Sequence, residues 1–197
     1  MPAGHPTGNP PFEQVLDAAQ AGAGWACTQL WNDHAGAVAA FARSRGSRDA
    51  DDLTSEVFLA VFDRLGEFRG DERAFRSFVF SIAYRRLVDE LRRRERRGEP
   101  EEWTPESDPR RASSAEDEVS ARLGDQAALA LLDGLSADQR DVMVLRVVAD
   151  LTVEQVAEVL GKRVGAVKAL QRRALATLRK KVTDPRTLSA PVSDSGE

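Results

Sequence analysis

Residues 152–181 read TVEQVAEVLGKRVGAVKALQRRALATLRKK, and this stretch decides the fold of the C-terminal part of the chain. Thr152 and Gln155 form a capping box that begins a short helix, and its apolar residues recur at i, i+3, i+4 and i+7. Gly161 supplies a C-terminal cap, so a second helix must begin within a few residues. A short helix, a glycine-containing turn and a longer helix form a helix-turn-helix.

The second helix of this motif, from about Val164 to Lys181, has an apolar face and a basic face. The segment 162–181 holds eight basic residues and no acidic one, whereas a solvated helix surface usually mixes the two signs. Such a helix enters the DNA major groove with its N-terminal half. We therefore predict DNA binding, with a merely solvated surface as the alternative. The predicted core face is Val164, Val167, Ala174, Leu175, Leu178 and Val182, and the predicted base-reading residues are Lys168, Ala169, Arg172 and Arg173.

Composition indicates a helical protein. Hydrophobic residues make up 42% of the 197 residues, which suffices for modest cores, while aromatic residues make up 6% and strand-type alternation is hard to find. The net charge of −4 argues against a nonspecific nucleic-acid coat protein. The charges are nevertheless segregated, with +4 on residues 81–97, −6 on residues 99–118 and +8 on residues 162–181.

These patterns predict an all-α fold with two small helical domains. Residues 1–11 are predicted to be a disordered leader, 12–98 the first domain, 99–118 a flexible acidic linker, 119–182 the second domain and 183–197 a flexible tail. One cysteine excludes an intramolecular disulfide, and no apolar run approaches the length of a membrane span. We therefore expect a cytoplasmic protein without membrane insertion.

A helix predicted from Asp49 to Gly66 has apolar residues on two sides. The core side consists of Leu53, Val57, Phe58, Val61 and Leu65. On the opposite side, Leu59 and Phe62 lie among the polar residues Asp52, Ser55, Glu56 and Asp63. An apolar pair rimmed by acids is typical of a surface that binds a protein partner, but burial against another helix explains the pattern equally well.

The next predicted helix, residues 75–97, is apolar on nearly every side at its start and cationic from Arg92 to Arg97. This pattern indicates a rod anchored in a core with one end facing phosphates. The preceding loop, residues 66–74, contains two glycines and Phe68, a candidate exposed aromatic residue. Aromatic side chains beside cations suit single-stranded nucleic acid, although a lone phenylalanine is more often a packing residue.

Three segments in this order resemble the ECF (extracytoplasmic function) sigma factors of bacterial RNA polymerase. They are DDLTSEVFLAVFDRL (51–65), FRSFVFSIAYRRLVDELRRRERR (75–97) and LDGLSADQRDVMVLRVVADLTVEQVAEVLGKRVGAVKALQRRALATLRKKV (132–182). The resemblance covers about residues 15–182. It implies a protein that directs core RNA polymerase to specific promoters and melts them, that is not itself an enzyme, and that uses no metal or other cofactor. It also implies an anti-sigma protein as a partner.

The resemblance also assigns roles to residues. The core-polymerase-binding residues are Asp52, Ser55, Glu56, Leu59 and Phe62. The residues that contact the minus-ten element are Phe68, Tyr84, Arg85, Arg86, Asp89, Arg92 and Arg93. The residues that contact the minus-thirty-five element are Arg163, Lys168, Ala169, Arg172 and Arg173. The acidic linker, with Trp103, corresponds to the segment that threads toward the polymerase active site and the RNA exit channel.

Three positions depart from the family pattern. Phe78 stands where a Trp usually opens the melting helix, which preserves an aromatic ring. Arg85 replaces a common Asn, which leaves the minus-ten base preference open. Arg163 replaces the Ser or Thr that would cap the recognition helix. Lys162 and Arg163 also oppose the helix dipole unless a phosphate compensates them.

Two other functions are compatible with parts of the sequence. A helix-turn-helix regulator that binds duplex DNA alone would explain the second domain but not the first. A metal-dependent hydrolase could use the acidic residues Asp49, Asp51, Asp52 and Glu56, but acids near a helix start are ordinary and favoured by the helix dipole. Cys27 and His34 could contact one metal only with ligands from elsewhere, so we expect no metal site.

Overall fold

The computed structural model describes residues 10–97, 132 and 134–183, without the side chains of residues 182 and 183. The predicted linker 99–118, the start of the second domain at residue 119 and most of both predicted tails lie outside this part of the chain. Every regular element within it is a helix, which confirms the all-α prediction. The α-helices are α1 (Phe12–Gln20), α2 (Gly24–Ser44), α3 (Ala50–Arg64), α4 (Glu72–Arg96), α5 (Ala137–Val147), α6 (Val153–Leu160) and α7 (Val164–Thr183), with a 3-10 turn at Leu65–Glu67.

The first domain packs α1 to α4 around an aromatic and aliphatic core. The core side predicted for α3 is buried throughout, with Val57 and Val61 fully inaccessible to solvent. It packs with α2 and α4, whose Phe41 and Phe80 rings meet edge to face with 6.0 Å between their centroids. Within the described ranges, every helix is too short or too polar to span a membrane.

The long helix α4 begins earlier than the apolar pattern predicted, which corrects the predicted extent of the preceding loop. Asp71 accepts a hydrogen bond from the Ala74 backbone N–H at 2.8 Å and so caps the helix, and Glu72 complements the positive end of the helix dipole. The loop therefore ends at Asp71. Gly70 is required there because a Cβ atom would lie 2.8 Å from the Ala74 Cβ and 3.1 Å from the Phe68 ring.

The second domain contains the predicted helix-turn-helix. Capping boxes begin α5 at Ser136 and α6 at Thr152, and Gly161 ends α6 in the left-handed conformation with φ +63°. The core face of α7 differs from the prediction in two positions. Leu170 is buried, whereas Leu175 is 36% exposed. The buried stripe runs through Val167, Leu170 and Ala174, at i, i+3 and i+7, so Leu175 lies at its edge.

The two domains pack against each other along a seam, which we define as the contact of α5 and α6 with α2 and α4. Val142 of α5 and Val156 of α6 belong to the same buried apolar cluster as Phe80 of α4. At the centre of the seam, Asp141 of α5 forms an ion pair with Arg45, which follows α2, at 3.0 Å between Oδ1 and Nε. The sequence alone did not predict this contact.

Asp141 is only 2% exposed, and this burial is the largest influence on the pKa of its carboxyl. Desolvation raises the pKa of its carboxyl from the usual 3.8 to about 6, although the Arg45 charge opposes the shift. Asp138 raises this pKa further, while Lys162 and Arg140 lower it. Because the folded-state pKa lies above the unfolded-state value, ionisation of Asp141 opposes folding, and its contribution to stability is lost as the pH rises through about 6.

Substituting Asp141→Asn should therefore change how stability depends on pH. Between about pH 3.5 and about pH 7.5, the wild type should lose about 3 kcal/mol of unfolding free energy relative to the variant, since one pKa unit corresponds to about 1.36 kcal/mol. Urea unfolding followed by circular dichroism at each pH measures the difference. Asp138→Asn, a half-exposed carboxyl on the same helix, is the control and should show a much smaller effect. Parallel pH profiles for wild type and Asp141→Asn would contradict the burial of this carboxylate.

Candidate nucleic-acid interface

The helix α7 presents the predicted basic surface to solvent. Lys168, Arg172 and Arg173 are exposed, as is Arg163 just before the helix, and Ala169 is half-buried between them. The opposite face is fixed by the burial of Val167, Leu170 and Ala174 against α5 and α6. The burial of that face therefore leaves Lys168, Arg172 and Arg173 on the solvent-facing part of the helix, with Arg163 just before its start.

The charge at the start of α7 is partly compensated within the domain. Lys162 donates a hydrogen bond from Nζ to Oδ2 of Asp138 on α5, at 3.0 Å. Lys162 thus has a carboxylate partner 24 positions earlier in the chain, which compensates its charge within the domain. Arg163 is exposed and remains available to an external anion.

A second cationic surface runs along α4. Arg86, Asp89, Arg92, Arg93 and Arg96 line one groove on its C-terminal half. Arg93 donates a hydrogen bond to the backbone carbonyl of Asp89 at 3.1 Å, so its guanidinium follows the helix axis. Arg85 is exposed beside this groove. The structure therefore brings together most of the residues predicted to contact the minus-ten element.

Arg86 also connects this surface to α3. Its Nη1 donates to Oε2 of Glu56 at 3.1 Å, and both side chains are 45% exposed. The resemblance assigned Glu56 to polymerase binding and Arg86 to DNA binding. The structure pairs the two with each other, so a partner that engages one of them changes the electrostatic environment of the other.

Tyr84 lies apart from the other residues assigned to the minus-ten element. It is half-buried and lies on the side of α4 that faces the second domain, whereas Arg85 and Asp89 point to solvent. Burial raises the pKa of its phenol, and the nearby Asp141 raises it further. In this arrangement Tyr84 is part of the seam.

Phe68 is half-buried and packs against other aromatic rings, which agrees with the alternative of a packing residue. Its ring stacks on Phe78 at 5.3 Å and meets Phe75 edge to face at 5.4 Å. Gln20, at the end of α1, donates from Nε2 to the backbone carbonyls of Leu65 and Phe68 at 2.8 and 2.9 Å. The loop is thus held in one shape by hydrogen bonds and ring packing.

The two interpretations of the α3 surface, a contact with a protein partner and burial within the domain, each apply to one residue. Leu59 is 71% exposed, next to the exposed polar residues Asp52 and Ser55. Phe62 is half-buried and packs on Phe58 at 5.7 Å. Leu59 is therefore the centre of an available apolar contact surface, while Phe62 mainly supports the fold from its edge.

Sequence reasoning missed a clamp formed by Glu90 and Arg94 of α4. Glu90 accepts hydrogen bonds from the Ser47 hydroxyl at 2.8 Å and from the Arg48 backbone N–H at 3.1 Å. Arg94 donates to the Gly46 carbonyl at 2.6 Å. The sequence pattern places Arg94 in the cationic end of the helix, residues 92–97, which is predicted to face phosphates. Only the pairing of residues more than 40 positions apart reveals that it holds the loop before α3.

The acidic residues considered for metal binding have other roles. Asp49 caps α3 by accepting a hydrogen bond from the Asp52 backbone N–H at 2.7 Å. His34 is buried against the Phe75 ring at 5.4 Å, and burial lowers its pKa. Within residues 10–97 and 134–183, no group of three or more potential metal ligands comes together.

Comparison with known proteins assigns the chain to a family. The family model described as Sigma-70 region 2 matches residues 30–97, and that described as Sigma-70, region 4 matches residues 131–180. ShbA of Streptomyces griseus, an ECF RNA polymerase sigma factor, is 38% identical over 135 residues, which cover 66% of this chain and 69% of ShbA. The chain belongs to the ECF sigma factors.

Other ECF sigma factors show the same relationship. SigD of Mycobacterium tuberculosis is 33% identical over 144 residues, which are 70% of this chain but span only 65% of the length of SigD. The solved structure of CnrH in complex with the cytosolic domain of CnrY superposes with a TM-score of 0.60 and 28% identity, covering 86% of this chain and 95% of CnrH. The family resemblance stated from the sequence is thus confirmed.

The exposed cations of α7 should set the salt dependence of DNA binding by this ECF sigma factor. In the double variant Arg172→Ala/Arg173→Ala, the slope of log K against log salt should become less steep by about 2, because each lost phosphate contact releases about one fewer counterion. Fluorescence anisotropy with a labelled duplex over a salt series measures the slope. Arg64→Ala removes an exposed cation from α3 and serves as the control. Equal slopes for wild type and double variant would show that α7 does not face the phosphates.

Proposed function

We propose that this protein directs core RNA polymerase to a specific set of promoters and takes part in melting them. The observation that carries the proposal is that two separate helices, α4 and α7, each present an exposed cationic surface while α3 presents the exposed Leu59. Two nucleic-acid surfaces and one protein surface on a single chain match the division of work in a sigma factor. A regulator that only binds duplex DNA would need α7 alone.

The α3 surface is the proposed polymerase contact. Leu59 supplies an apolar centre, and Asp52, Ser55 and Glu56 supply a polar and acidic rim, with Phe62 at its edge. An apolar centre favours affinity, and an acidic rim favours a basic partner surface and speeds association. This arrangement fits a basic helical element of the core enzyme. The clamp of Glu90 and Arg94 on the preceding loop holds α3 at a defined angle to α4.

The cationic groove of α4 is the proposed contact with the minus-ten element. Its arginines provide affinity for the phosphates of a strand, and the exposed Arg85 can reach base edges. The adjacent loop with Phe68, held by Gln20, is the proposed support for an unstacked base. Promoter melting then follows from differential binding, because a groove that binds one strand shifts the duplex toward the open form.

The N-terminal half of α7 is the proposed contact with the minus-thirty-five element. Lys168, Arg172 and Arg173 offer hydrogen-bond donors to base edges and phosphates, and the small side chain of Ala169 permits close approach of the helix. Arg163 stands where a capping residue would begin the helix and is proposed to contact a phosphate. With few phosphate contacts on each helix and a chain of net charge −4, the protein alone should bind DNA weakly. Specific binding then requires that the polymerase hold both surfaces on one promoter.

The remaining expectations follow from this function. We infer that the protein is not an enzyme, since the polymerase carries out the chemistry, and that it uses no cofactor. We infer a cytoplasmic location because the polymerase is located there. An anti-sigma protein is a further proposed partner.

Run-off transcription on genomic fragments tests the proposed function directly. Purified core polymerase with this protein should produce discrete transcripts that the core enzyme alone does not produce, with permanganate-reactive thymines near minus ten. A duplex-binding regulator would instead footprint promoter DNA without polymerase and would not add start sites to core enzyme. The absence of new start sites across the fragments would overturn the proposal.

The exposed Leu59 provides a specific test of the polymerase surface. Leu59→Asp should weaken binding to core polymerase by about 30-fold or more, as expected for a central contact residue worth about 2 kcal/mol. Its unfolding midpoint should hardly change, because the side chain is already exposed. Gln14→Asp, an exposed substitution on α1, is the matched control for the added charge. Unchanged polymerase affinity for Leu59→Asp would place the contact elsewhere.

A further inference from the structure

The helix α1 is connected to the loop of residues 65–71 by one side chain. Gln20, the last residue of α1, donates from Nε2 to the backbone carbonyls of Leu65 at 2.8 Å and Phe68 at 2.9 Å. These carbonyls lie 45 and 48 positions further along the chain. Because one amide group holds both ends of the stretch 65–68, it fixes their positions relative to α1. None of the residues assigned to promoter or polymerase contact lies on this helix.

The position of Gln20 is itself fixed by the fold. Gly22 is left-handed with φ +82°, and the N–H of the next residue, Ala23, donates to the Ala18 carbonyl at 2.9 Å. This is a Schellman motif, which ends α1 at Gln20. Apolar residues of α1 are buried in the core of the first domain. The amide of Gln20 is therefore presented to the loop from a helix that is held in place.

Both carbonyls that accept from Gln20 also have a second donor. The Phe68 N–H donates to the Leu65 carbonyl at 3.1 Å, and Arg69 Nη1 donates to the Phe68 carbonyl at 2.6 Å. Arg69 Nη1 also donates to the Gly66 carbonyl at 2.8 Å. A buried polar group that loses its only partner is costly, but here each carbonyl would keep one. Loss of the Gln20 side chain should therefore release the loop from α1 without unfolding the domain.

The loop carries an aromatic ring that can meet a base. Phe68 is half-buried, with its ring stacked on Phe78 at 5.3 Å, and its chain neighbours Glu67 and Arg69 are exposed. Since Gln20 binds the carbonyl of Phe68 itself, it limits where this ring can lie. A support that is fixed before DNA binding loses no further conformational freedom when an unstacked base arrives.

We propose that Gln20 is a positioning residue for promoter opening. From α1 it holds the loop in the shape that accepts the unstacked base of the minus-ten element, and it acts through Phe68 without touching DNA. This inference rests on the proposed function, since the loop must first be the support for such a base. It gives α1, which precedes the match to Sigma-70 region 2 at residues 30–97, a role in promoter recognition.

Three variants separate the two hydrogen bonds from other properties of this position. Gln20→Leu keeps a similar side-chain volume but removes the donor. Gln20→Glu keeps the shape and places an ionised carboxylate, which only accepts hydrogen bonds, against two carbonyls. Gln14→Leu makes the same chemical change as Gln20→Leu at an exposed position of α1 and is the matched control. All three variants should keep the helical circular dichroism spectrum of the wild type.

Hydrogen exchange on the full chain, without polymerase or DNA, tests the hold on the loop. Gln20→Leu and Gln20→Glu should exchange faster over residues 65–71, while the buried stretch of α4 around Phe80 should exchange as in the wild type. Gln14→Leu should match the wild type throughout. Unchanged exchange over residues 65–71 in both Gln20 variants would overturn the positioning role. Faster exchange over the whole domain would also overturn it, because Gln20 would then be a general stabilising residue.

A cycle between Gln20 and the base tests the role in promoter opening. The probe is a labelled fork-junction DNA that carries the minus-ten element of a promoter found by run-off transcription, with its non-template strand unpaired. Holoenzyme is assembled from core polymerase and the wild type, Gln20→Leu or Gln14→Leu. Fluorescence anisotropy gives the dissociation constant for the intact probe and for probes in which one base of the element is replaced by an abasic site.

The base captured by the loop should be identified by its abasic probe. For wild-type and Gln14→Leu holoenzyme, removing this base should weaken binding by about 5-fold or more, as expected for the loss of one base–aromatic stack. For Gln20→Leu, the same removal should weaken binding by less than about 2-fold, because the base is already poorly supported. Wild type and Gln20→Leu should bind this abasic probe equally well.

The outcomes of the cycle distinguish this inference from the proposed function. A loss at this base that persists in full in Gln20→Leu would contradict the inference and leave the proposed function intact. Equal weakening of the intact and abasic probes by Gln20→Leu would also contradict it, since binding is then reduced in general. If wild-type holoenzyme bound the intact and every abasic probe alike, or if no promoter-specific transcript existed, the proposed function would fail and the inference with it.

Discussion

Phe75 lies where α1, α2, α4 and the loop of residues 65–71 meet, and it is completely buried. Its ring contacts Phe12 of α1 at 5.5 Å, His34 of α2 at 5.4 Å and Phe68 of the loop at 5.4 Å. Because interiors tolerate few voids, the position of this ring fixes where each neighbour can lie. The loop proposed to support an unstacked base is therefore positioned by the hydrophobic core and not only by its own hydrogen bonds.

The helix α4, which contains Phe75, has a different environment on each of its sides. One side forms the core of the first domain, one side faces α6 of the second domain across the seam, and one side presents the arginine groove to solvent. The helix thereby connects the surface proposed to bind polymerase with the groove proposed to bind DNA. Glu56 pairs with Arg86 directly, and Glu90 holds the loop that leads into α3. These polar contacts join α3 and the loop before it to the helix that carries the arginine groove.

The seam combines apolar packing with charges that are costly to bury. Val142, Leu145 and Val156 provide continuous apolar contact with the first domain, while Asp141 is a carboxylate in a nearly dry environment. Its raised pKa reflects this cost. Apolar packing therefore favours the contact of the two domains, whereas desolvation of Asp141 and Arg45 opposes it.

Local features of the chain were predictable where short-range physics controls them. The capping boxes at Ser136 and Thr152, the left-handed cap at Gly161 and the buried side of α3 follow from side chains a few positions apart. The acid-free basic segment also predicted an exposed cationic surface on α7, since charge sign is a property of the sequence. The family resemblance rested on the same local patterns and is confirmed by the comparisons.

Only the tertiary structure decided which of these residues meet. Contacts between helices far apart in the sequence pair Lys162 with Asp138 and Arg94 with the Gly46 carbonyl. They also leave Leu59 exposed while Phe62 is half-buried. The same holds for Tyr84 and Asp141 in the seam. Periodicity places a side chain on a face of its own helix, but the packing of other helices determines whether that face meets solvent, DNA or a neighbouring domain.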